Sequence, residues 1–598
     1  MILIFGGTTE GRAAIDVCEQ ACKPYFYSTR GAEQEVVLTH GRRLGGIMDA
    51  DAMTRFCRDN AIRLIVDAAH PFATQLHANI GTAAAATGVP VVRYERIYPP
   101  RDADIIWCSD FADAVRRLEA AGVASLLALT GVQTIGRLRT YWEAHTCWFR
   151  ILGRDSSVGT AIAAGFPADR LIAYEGNDTA TLITRLHPQA IITKESGMSG
   201  GFMEKVDAAR KAGVTVFAVE RPRLPYVSRL DACRVVDGPR GLRRAIEATV
   251  PDFFTLHTGL TTGTCATAAV VAAMQRLLSS HSATGAGPRD SDASATDVVS
   301  VRLPDGETVS VPVGYADGAA FCIKDFSDDP DVTRGAKIIA RVALRRDDSP
   351  PQVRFLQGEG VGRVTLPGLG IPVGEPAINP TPRRSIAEAV AAMTDAPVDV
   401  TISVEGGREL ALKTFNPRVG VVDGISIIGT SGIVMPFSNE AFTESIEREM
   451  HVAKAMGFTT LGLASGKRGE EALLASEPGL RVVHYGNFIG SALQSAYALG
   501  FQRVVVGIMI GKAVKLAEGN HDTHSHKVTM NLRFLIDVAT EAGIPDAEAR
   551  LAGVRMAREL WQLMPPAFFD AIRRHCLSHC RRVYPTRQLD VRIISDDT

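Results

Sequence analysis

In "GGTTEGR" (6–12), Gly6 and Gly7 allow a tight backbone turn, and Thr8 and Thr9 offer hydroxyls. Gly11 admits close helix packing, and Arg12 adds a positive charge. Such a loop between a strand and a helix suits a phosphate, because the free amides and the dipole of a helix start favour an anion. The spacing differs from GxGxxG. The next strand ends in Ser28, Thr29 and Arg30, with no carboxylate before Glu33. A carboxylate there would hold a ribose hydroxyl of NAD, whereas an arginine accommodates a 2′-phosphate, so the pattern leans towards NADPH with NADH left open.

Three more clusters stand at the ends of apolar runs in the first half. "DAAHPFA" (67–73) carries Asp67 and His70, "TKESGMSGG" (193–201) carries Lys194 and Glu195, and "ERPRLP" (220–225) carries Glu220 and Arg221. His70 reads either as a histidine satisfied by the fold or as a group that moves protons. In the second half, "TTGTCATAA" (261–269) has three readings. Thr261, Thr262 or Thr264 caps a helix; or the loop with Gly263 holds a carboxylate or phosphate; or Cys265 is a thiolate nucleophile. No histidine base can be assigned to Cys265, which favours packing for it.

"KDFSDDPDVTRG" (324–335) fails the calcium-loop spacing and reads as a solvated acidic turn. "GEGVGRVTLPGLGIPVGEPAINPTPR" (358–383) reads as a binding loop on a rigid scaffold. "GTSG" (Gly429, Thr430, Ser431, Gly432), "LASGKRGE" (463–470) and "HYGNFIG" (with Gly486 and Asn487) fall at expected strand ends, where open α/β sheets bind ligands. His521, His524 and His526 lack a cysteine partner for zinc, so no metal is expected.

These loops need elements to hold them. Residues 1–130 alternate apolar runs with helical patterns (11–22 and 72–87), and a second series follows at "SLLALTG", "CWFRILG", "AIITKESG" and "VTVFAVERP". That alternation predicts two Rossmann-like α/β lobes with a cleft over 1–248. Residues 253–415 read as α+β, with an Asp-Gly hairpin at "VSVRLPDGETVSVPV". Residues 416–598 read as a second Rossmann-like region with strands in 418–432, 459–466, 481–490 and 503–519, followed by a helical, then extended tail. The insert 279–297, rich in Ser, Ala, Gly and Asp, is expected to be a flexible excursion. A chain of 598 residues exceeds one core. Its net charge of −1 provides no basic field for nucleic acid or anionic membrane, and no apolar run is long enough for a span. The start "MILIFGG" reads as a buried strand rather than a signal peptide. Ten scattered cysteines make no disulfide framework, so a cytoplasmic protein with reduced thiols is expected.

"GGTTEGR", "DAAHPFA", "TKESGMSGG" and "ERP" together resemble the precorrin-6A reductase family of cobalamin biosynthesis over about 1–248. The resemblance implies hydride transfer from a reduced nicotinamide to a corrin-ring precursor, with Lys194, Glu195 and His70 as candidate proton sources. "TTGTCATAA", "DDPDVT", "GEGVGRVTLPGL" with "INPTPR", "GTSGIVMPFS", "HYGNFIGSAL" and "GKAVKLAEG" with "THS" resemble the cobalt-precorrin-5B C1-methyltransferase family over about 255–590. That implies S-adenosylmethionine as donor, expected at 429–432 and 486–487, and ring carbon 1 as acceptor. The macrocycle's carboxylate arms call for cations and helix starts. Arg383, Lys467, Lys512 and Lys515 are expected there, with Thr261, Thr262, Gly263, Thr264, His524 and Ser525. The two activities would be consecutive, with small cobalt-precorrins as the only partners named and assembly of several copies left open. The competing reading makes one half a tetrapyrrole-binding or escort module.

Overall fold

Short runs of aliphatic and aromatic residues that are apolar on both faces become the inner strands of a parallel sheet. Ile2–Phe5, Tyr25–Thr29, Leu64–Asp67 and Val91–Tyr94 are buried along their whole length. The computed structural model describes all residues except 32–33, 177–178, 225, 231, 283–296, 326, 347–349, 525–526, 586–587 and 596–598. Ser525, His526, Glu33 and most of the 279–297 insert therefore lie outside the described residues.

The chain divides into two compact units, Met1–Thr255 with Asp305–Val309, and the remainder. Among the described residues, the first unit holds two six-stranded sheets. One runs Cys233–Val236, Val91–Tyr94, Leu64–Asp67, Ile2–Phe5, Tyr25–Thr29 and Gly41–Gly45, parallel throughout. The other runs Ile106–Cys108, Thr215–Val219, Ala190–Lys194, Ser125–Ala128, Thr146–Ile151 and Leu171–Ala173, also parallel. In each sheet the winding reverses beside a central strand, at Ile2–Phe5 and at Ser125–Ala128. In open sheets of this kind ligands bind at the carboxyl ends beside that point. The expected helices appear as Thr9–Glu19 and Thr74–Thr87. The strand Cys233–Val236 returns to the first sheet after the second is complete. The helix Pro239–Thr249 then places Leu242, Ala245 and Ile246 in the first sheet's core.

The second unit begins with a mostly antiparallel sheet in the order Asp297–Arg302, Thr308–Ala316, Ala319–Ile323, Lys337–Leu344, Val398–Val404 and Val353–Gln357. Gly306 turns the hairpin at φ +95°. The helix Thr262–Ser282 lies against this sheet and against the helix Pro380–Ala391. A four-stranded parallel sheet follows, in the order Val482–His484, Thr460–Ala464, Arg503–Met509 and Gln588–Ile594.

One expectation is corrected in this region. The segment 418–432 supplies no strand to the parallel sheet. Val421–Val422 pairs instead with Arg363–Val364, and Ile433–Val434 pairs with Gly259–Leu260. The fourth strand comes from the tail. An apolar run flanked by glycines satisfies either partner equally, and only the competition among edges decides.

Candidate functional site

The first loop forms at the switch point of the first sheet. Thr8 caps the helix Thr9–Glu19 by accepting from the Gly11 amide at 3.0 Å, and its hydroxyl donates to the Ala68 carbonyl at 2.7 Å. The Gly6 amide donates to the Ser28 carbonyl and the Gly7 amide to the Tyr27 hydroxyl, both at 3.0 Å. A Cβ on Gly6 would sit 2.2 Å from that hydroxyl, so the chain can pass Tyr27 only as glycine. Among the described residues the amides of Thr8, Thr9 and Glu10 find no acceptor. This open helix start fits a phosphate group.

Ser28 and Thr29 are buried, while Arg12 and Arg30 are exposed without an ion pair among the described residues. The Arg43 guanidinium adds a charge at the same strand end, reaching Thr29 Oγ1 at 3.4 Å and the Gly31 carbonyl at 3.3 Å. Arg43 was not singled out from sequence because it sits on a following strand, "GRRLG", whose pairing is long-range.

"TKESGMSGG" meets this loop from the second sheet. The Glu10 carboxylate accepts from Arg96 Nε at 3.1 Å and from the Ser199 hydroxyl, and Arg96 also donates to the Ser196 carbonyl at 2.7 Å. Beside these contacts, at the second sheet's switch point, lies a cavity of ≈ 230 Å³. Its polar walls include His70, Thr193, Lys194, Lys205, Arg150 and Thr130. Burial, and then the charges of Arg137 and Lys205, lower the Lys194 ammonium to about 8. Burial and Arg150 bring Lys205 down to about 8 as well. The Lys205 ammonium donates to the Gly200 carbonyl at 2.9 Å. Arg150 stacks over Tyr174 at 4.9 Å and donates to Thr179 at 3.0 Å. The Thr193 hydroxyl is buried without a hydrogen-bond partner among the described residues. Cations around an open hydroxyl suit a ligand with several carboxylates or phosphates.

The three candidate proton sources separate. Lys194 lines the cavity, with its ammonium 5.3 Å from the Phe72 ring centre. His70 also lines it, but burial and the charges of Arg96 and Lys194 lower its imidazole to about 3, so the ring is neutral near pH 7. Glu195 is not among the cavity residues. Its carboxylate is closed by Arg101 at 3.0 and 3.3 Å and by the Arg221 amide and guanidinium at 2.9 and 3.0 Å. Lys205 and Arg150 were missed because a lysine in a helix and an arginine in a strand carry no motif.

In the second unit, "TTGT" and "GTSG" grip one another. The Thr261 amide donates to the Gly432 carbonyl at 3.1 Å, the Gly263 amide to Ile428 at 2.9 Å, and the Thr264 hydroxyl to Gly432 at 2.7 Å. Thr262 Oγ1 accepts from the Ile428 amide at 2.9 Å, and Thr261 Oγ1 caps the helix through the Thr264 amide at 3.1 Å. All three threonines are buried, and their hydroxyls bond within the protein. Gly429 packs on Thr261, and Thr430 reaches Glu444 at 3.3 Å. The Ser431 hydroxyl donates to the Ile433 carbonyl at 2.8 Å. Cys265 is fully buried beside Cys322, which together with burial holds its thiol well above the usual range.

The acidic run is partly solvated, with Asp328 exposed, and each of its carboxylates also holds a neighbour. Asp325 accepts from the Leu260 amide, Asp328 from His257, Asp329 from the Phe437 amide at 3.0 Å and Asp331 from the buried Lys324 at 2.7 Å. Arg383 is likewise engaged within its own segment, with the carbonyls of Ile378 and Pro376 at 2.8 and 3.0 Å and Glu375 at 2.6 Å.

Other expected residues converge at the carboxyl ends of the four-stranded sheet. Lys512 donates to the Gly486 carbonyl at 2.6 Å, Lys515 to Thr523 at 3.2 Å, and the Thr523 amide to Asn487 at 3.0 Å. Burial lowers both lysines. His524 stands in the same loop, its amide bonded to Asp522 at 3.2 Å. Lys467, its side chain 85% exposed, begins the helix after Thr460–Ala464. Next to it, Glu470 joins Arg418 at 3.1 Å and His484 at 2.9 Å, a cluster not expected from sequence. Gly486 lies at φ +59° against Phe442 of the helix Asn439–Ala455, the helix that also carries Glu444 beside Thr430. Among the described residues, no group of acidic, histidine or cysteine side chains could hold a metal, all cysteines are free, and no helix is long and apolar enough to cross a membrane.

Residues 1–237 match the family described as Precorrin-6x reductase CbiJ/CobK, 251–436 match CbiD, and 522–598 match the CbiD C-terminal domain. The chain is 42% identical over 347 residues to a cobalt-precorrin-5B C(1)-methyltransferase of Prosthecochloris aestuarii, covering 56% of this chain and 90% of the relative. It is 38% identical over 360 residues to that of Pseudomonas fluorescens, covering 57% and 93%. Among solved structures, a CobK precorrin-6A reductase matches at 24% identity and TM-score 0.34, over 42% of this chain and 96% of that one. A cobalamin biosynthesis protein (cbiD) from Archaeoglobus fulgidus matches at 26% and 0.25, over 48% and 85%.

Proposed function

The chain belongs to the cobalt-precorrin-5B C(1)-methyltransferase family and carries a precorrin-6x reductase domain ahead of it, and we propose that it performs two consecutive steps on the corrin ring. The second unit methylates ring carbon 1 of cobalt-precorrin-5B with S-adenosylmethionine, and the first reduces the resulting cobalt-precorrin-6A to cobalt-precorrin-6B with NADPH. The observation that carries this reading is the set of three family matches, which fall in both units. The same matches give the escort reading no support. The cytoplasm, where thiols stay reduced, suits ten free cysteines.

When bound, the nicotinamide supplies a hydride. The chain's own residues do the rest. The amides of Thr8, Thr9 and Glu10 hold the cofactor's phosphates, with Gly6, Gly7 and Gly11 giving them room. Arg30 and Arg43, with Arg12 nearby, recognise a 2′-phosphate. In the cavity, Lys205 and Arg150 hold substrate carboxylates, and the Lys194 ammonium delivers a proton to the atom of the reduced double bond that does not take the hydride. In the second unit, Gly486 and Asn487 with the start of the Lys467 helix hold the methyl donor. Lys467, Lys512 and Lys515 face the macrocycle's carboxylates, and alignment supplies most of the rate.

The test is incubation of the full chain with cobalt-precorrin-5B, adding each cosubstrate in turn. Adenosylmethionine alone should build up the 6A product, and NADPH should then convert it. No methylated product, or no further conversion, overturns the corresponding half. Arg30→Ala is expected to raise KM for NADPH about tenfold, the loss of one charge-assisted contact of about 1.4 kcal/mol. KM for NADH should stay unchanged, and an equal rise for both would remove the 2′-phosphate assignment.

A further inference from the structure

We propose that His77 is a buried imidazolium that positions the His70 segment of the reductase site; the positioning role rests on the reading of the first unit as a reductase. His77, on the helix Thr74–Thr87, is 1% exposed. Its Nε2 lies 3.0 Å from the His70 carbonyl oxygen. A carbonyl only accepts, so Nε2 carries a proton. Its Nδ1 lies 2.7 Å from Asp67 Oδ2. That carboxylate already accepts from the Ala69 amide at 3.1 Å, from Arg93 at 3.0 Å and from the Tyr226 hydroxyl. Burial and the Asp67 charge push the Tyr226 phenol far up, so it is a donor. Burial pushes the Asp67 carboxyl up, but the Arg93 guanidinium 3.0 Å away pulls it below the ordinary carboxylate value, so it is ionised. Nδ1 therefore faces an acceptor and carries a proton too.

The charge count agrees. Arg93 also binds Glu95 at 3.1 Å. With His77 charged, two cations stand against the two carboxylates, Asp67 and Glu95. With His77 neutral, an uncompensated negative charge would stay in a buried network, a costly arrangement. Of the other titratable neighbours, Cys233 has its thiol raised to about 11 by burial and Asp67, and His70 has its imidazole lowered to about 3, so neither adds a charge.

The consequence falls on three successive carbonyls. Thr8 of the cofactor loop holds that of Ala68 at 2.7 Å, Arg93 that of Ala69 at 2.9 Å, and His77 that of His70. The same His70 puts its ring in the cavity wall beside Lys194. Each bond fixes one step of the strand end that links the cofactor loop to the cavity. His77 acts as a positioning residue, through His70.

The full chain with nitrogen-15-labelled histidine tests the charge, the His77 signals being those lost in H77F. Both ring nitrogens should resonate as protonated at pH 7.5, and one unprotonated nitrogen overturns the imidazolium. In turnover, H77F should lower the reductase kcat by roughly 10²-fold, the scale of a small misplacement at a reacting centre. KM for NADPH and methyl transfer should move less than about threefold, the latter showing that the chain is folded. Y226F, which removes a donor to Asp67 but leaves the His70 carbonyl held, should keep kcat within about threefold. Equal losses in the two variants, or a normal kcat in H77F, overturn the positioning role. A wild-type chain that reduces nothing overturns it together with the reading of the unit, while the nitrogen spectrum decides the charge independently.

Discussion

Lys194→Met is expected to lower the reductase kcat by about 10²–10⁴-fold, the contribution of a positioned general acid, while methyl transfer by the same chain continues. The ammonium is the donor form. Since burial and the charges of Arg137 and Lys205 bring it to about 8, the wild-type rate should hold below that pH and fall as pH rises through it. Removing a neighbouring positive charge raises the pH at which Lys194 deprotonates. Lys205→Met should therefore carry the alkaline limb to higher pH, while raising KM through the lost carboxylate contact. Steady-state kinetics between pH 6 and 10 give both readings. An unmoved alkaline limb in Lys194→Met would assign the proton to water or to another group.

The second large effect is on stability. Arg418 joins Glu449 at 3.3 Å, Glu470 at 3.1 Å and the Val482 carbonyl at 2.9 Å. Glu449 is 4% exposed, and burial raises its carboxyl despite the arginine. Arg418→Met leaves that carboxylate without its counter-charge and should cost about 3–5 kcal/mol. The pH dependence follows from Glu470. Burial opposes its ionisation, but Arg418 and His484 pull its carboxyl below the ordinary value. A carboxylate lowered in the fold stabilises above its unfolded value and loses that contribution as pH falls through the folded one. The gap between wild type and variant should therefore be full at pH 7, begin to narrow as Glu449 takes its proton above the ordinary carboxylate value, and narrow further below about pH 4.5. Urea unfolding at pH 7 and pH 4 measures it. A gap that is equal at both would show that Arg418 acts by packing alone.

Some of this was legible without coordinates. "MILIF", "LIVDAA" and "AIITKESG" are apolar on both faces and end in glycine or small polar residues, a pattern that buried parallel strands and their ligand loops share. "GGTTEGR" names part of its own conformation, because the Thr8 cap on the Gly11 amide and the helix behind it are contacts within a few residues. "TTGTCATAA" has the same local grammar, and its Thr261 cap was one of the readings open to it. Its partner was not local. The carbonyls of Ile428 and Gly432 lie 166 and 168 positions beyond the threonines that reach them, so no spacing could show that they would take the hydroxyls.

The sequence by itself determined the two families, the alternating α/β layout and the local conformation of the first glycine loop, because each rests on short-range pattern. Only the tertiary structure decided that Glu195 and Arg383 are closed by neighbours, that the fourth strand of the last sheet is Gln588–Ile594, and that Lys205, Arg150 and Arg43 stand beside the expected residues. It also placed His77 between Asp67 and the His70 carbonyl. Those outcomes depend on which charges and acceptors meet once distant segments are packed, and burial then sets their protonation. No local signal carries either quantity.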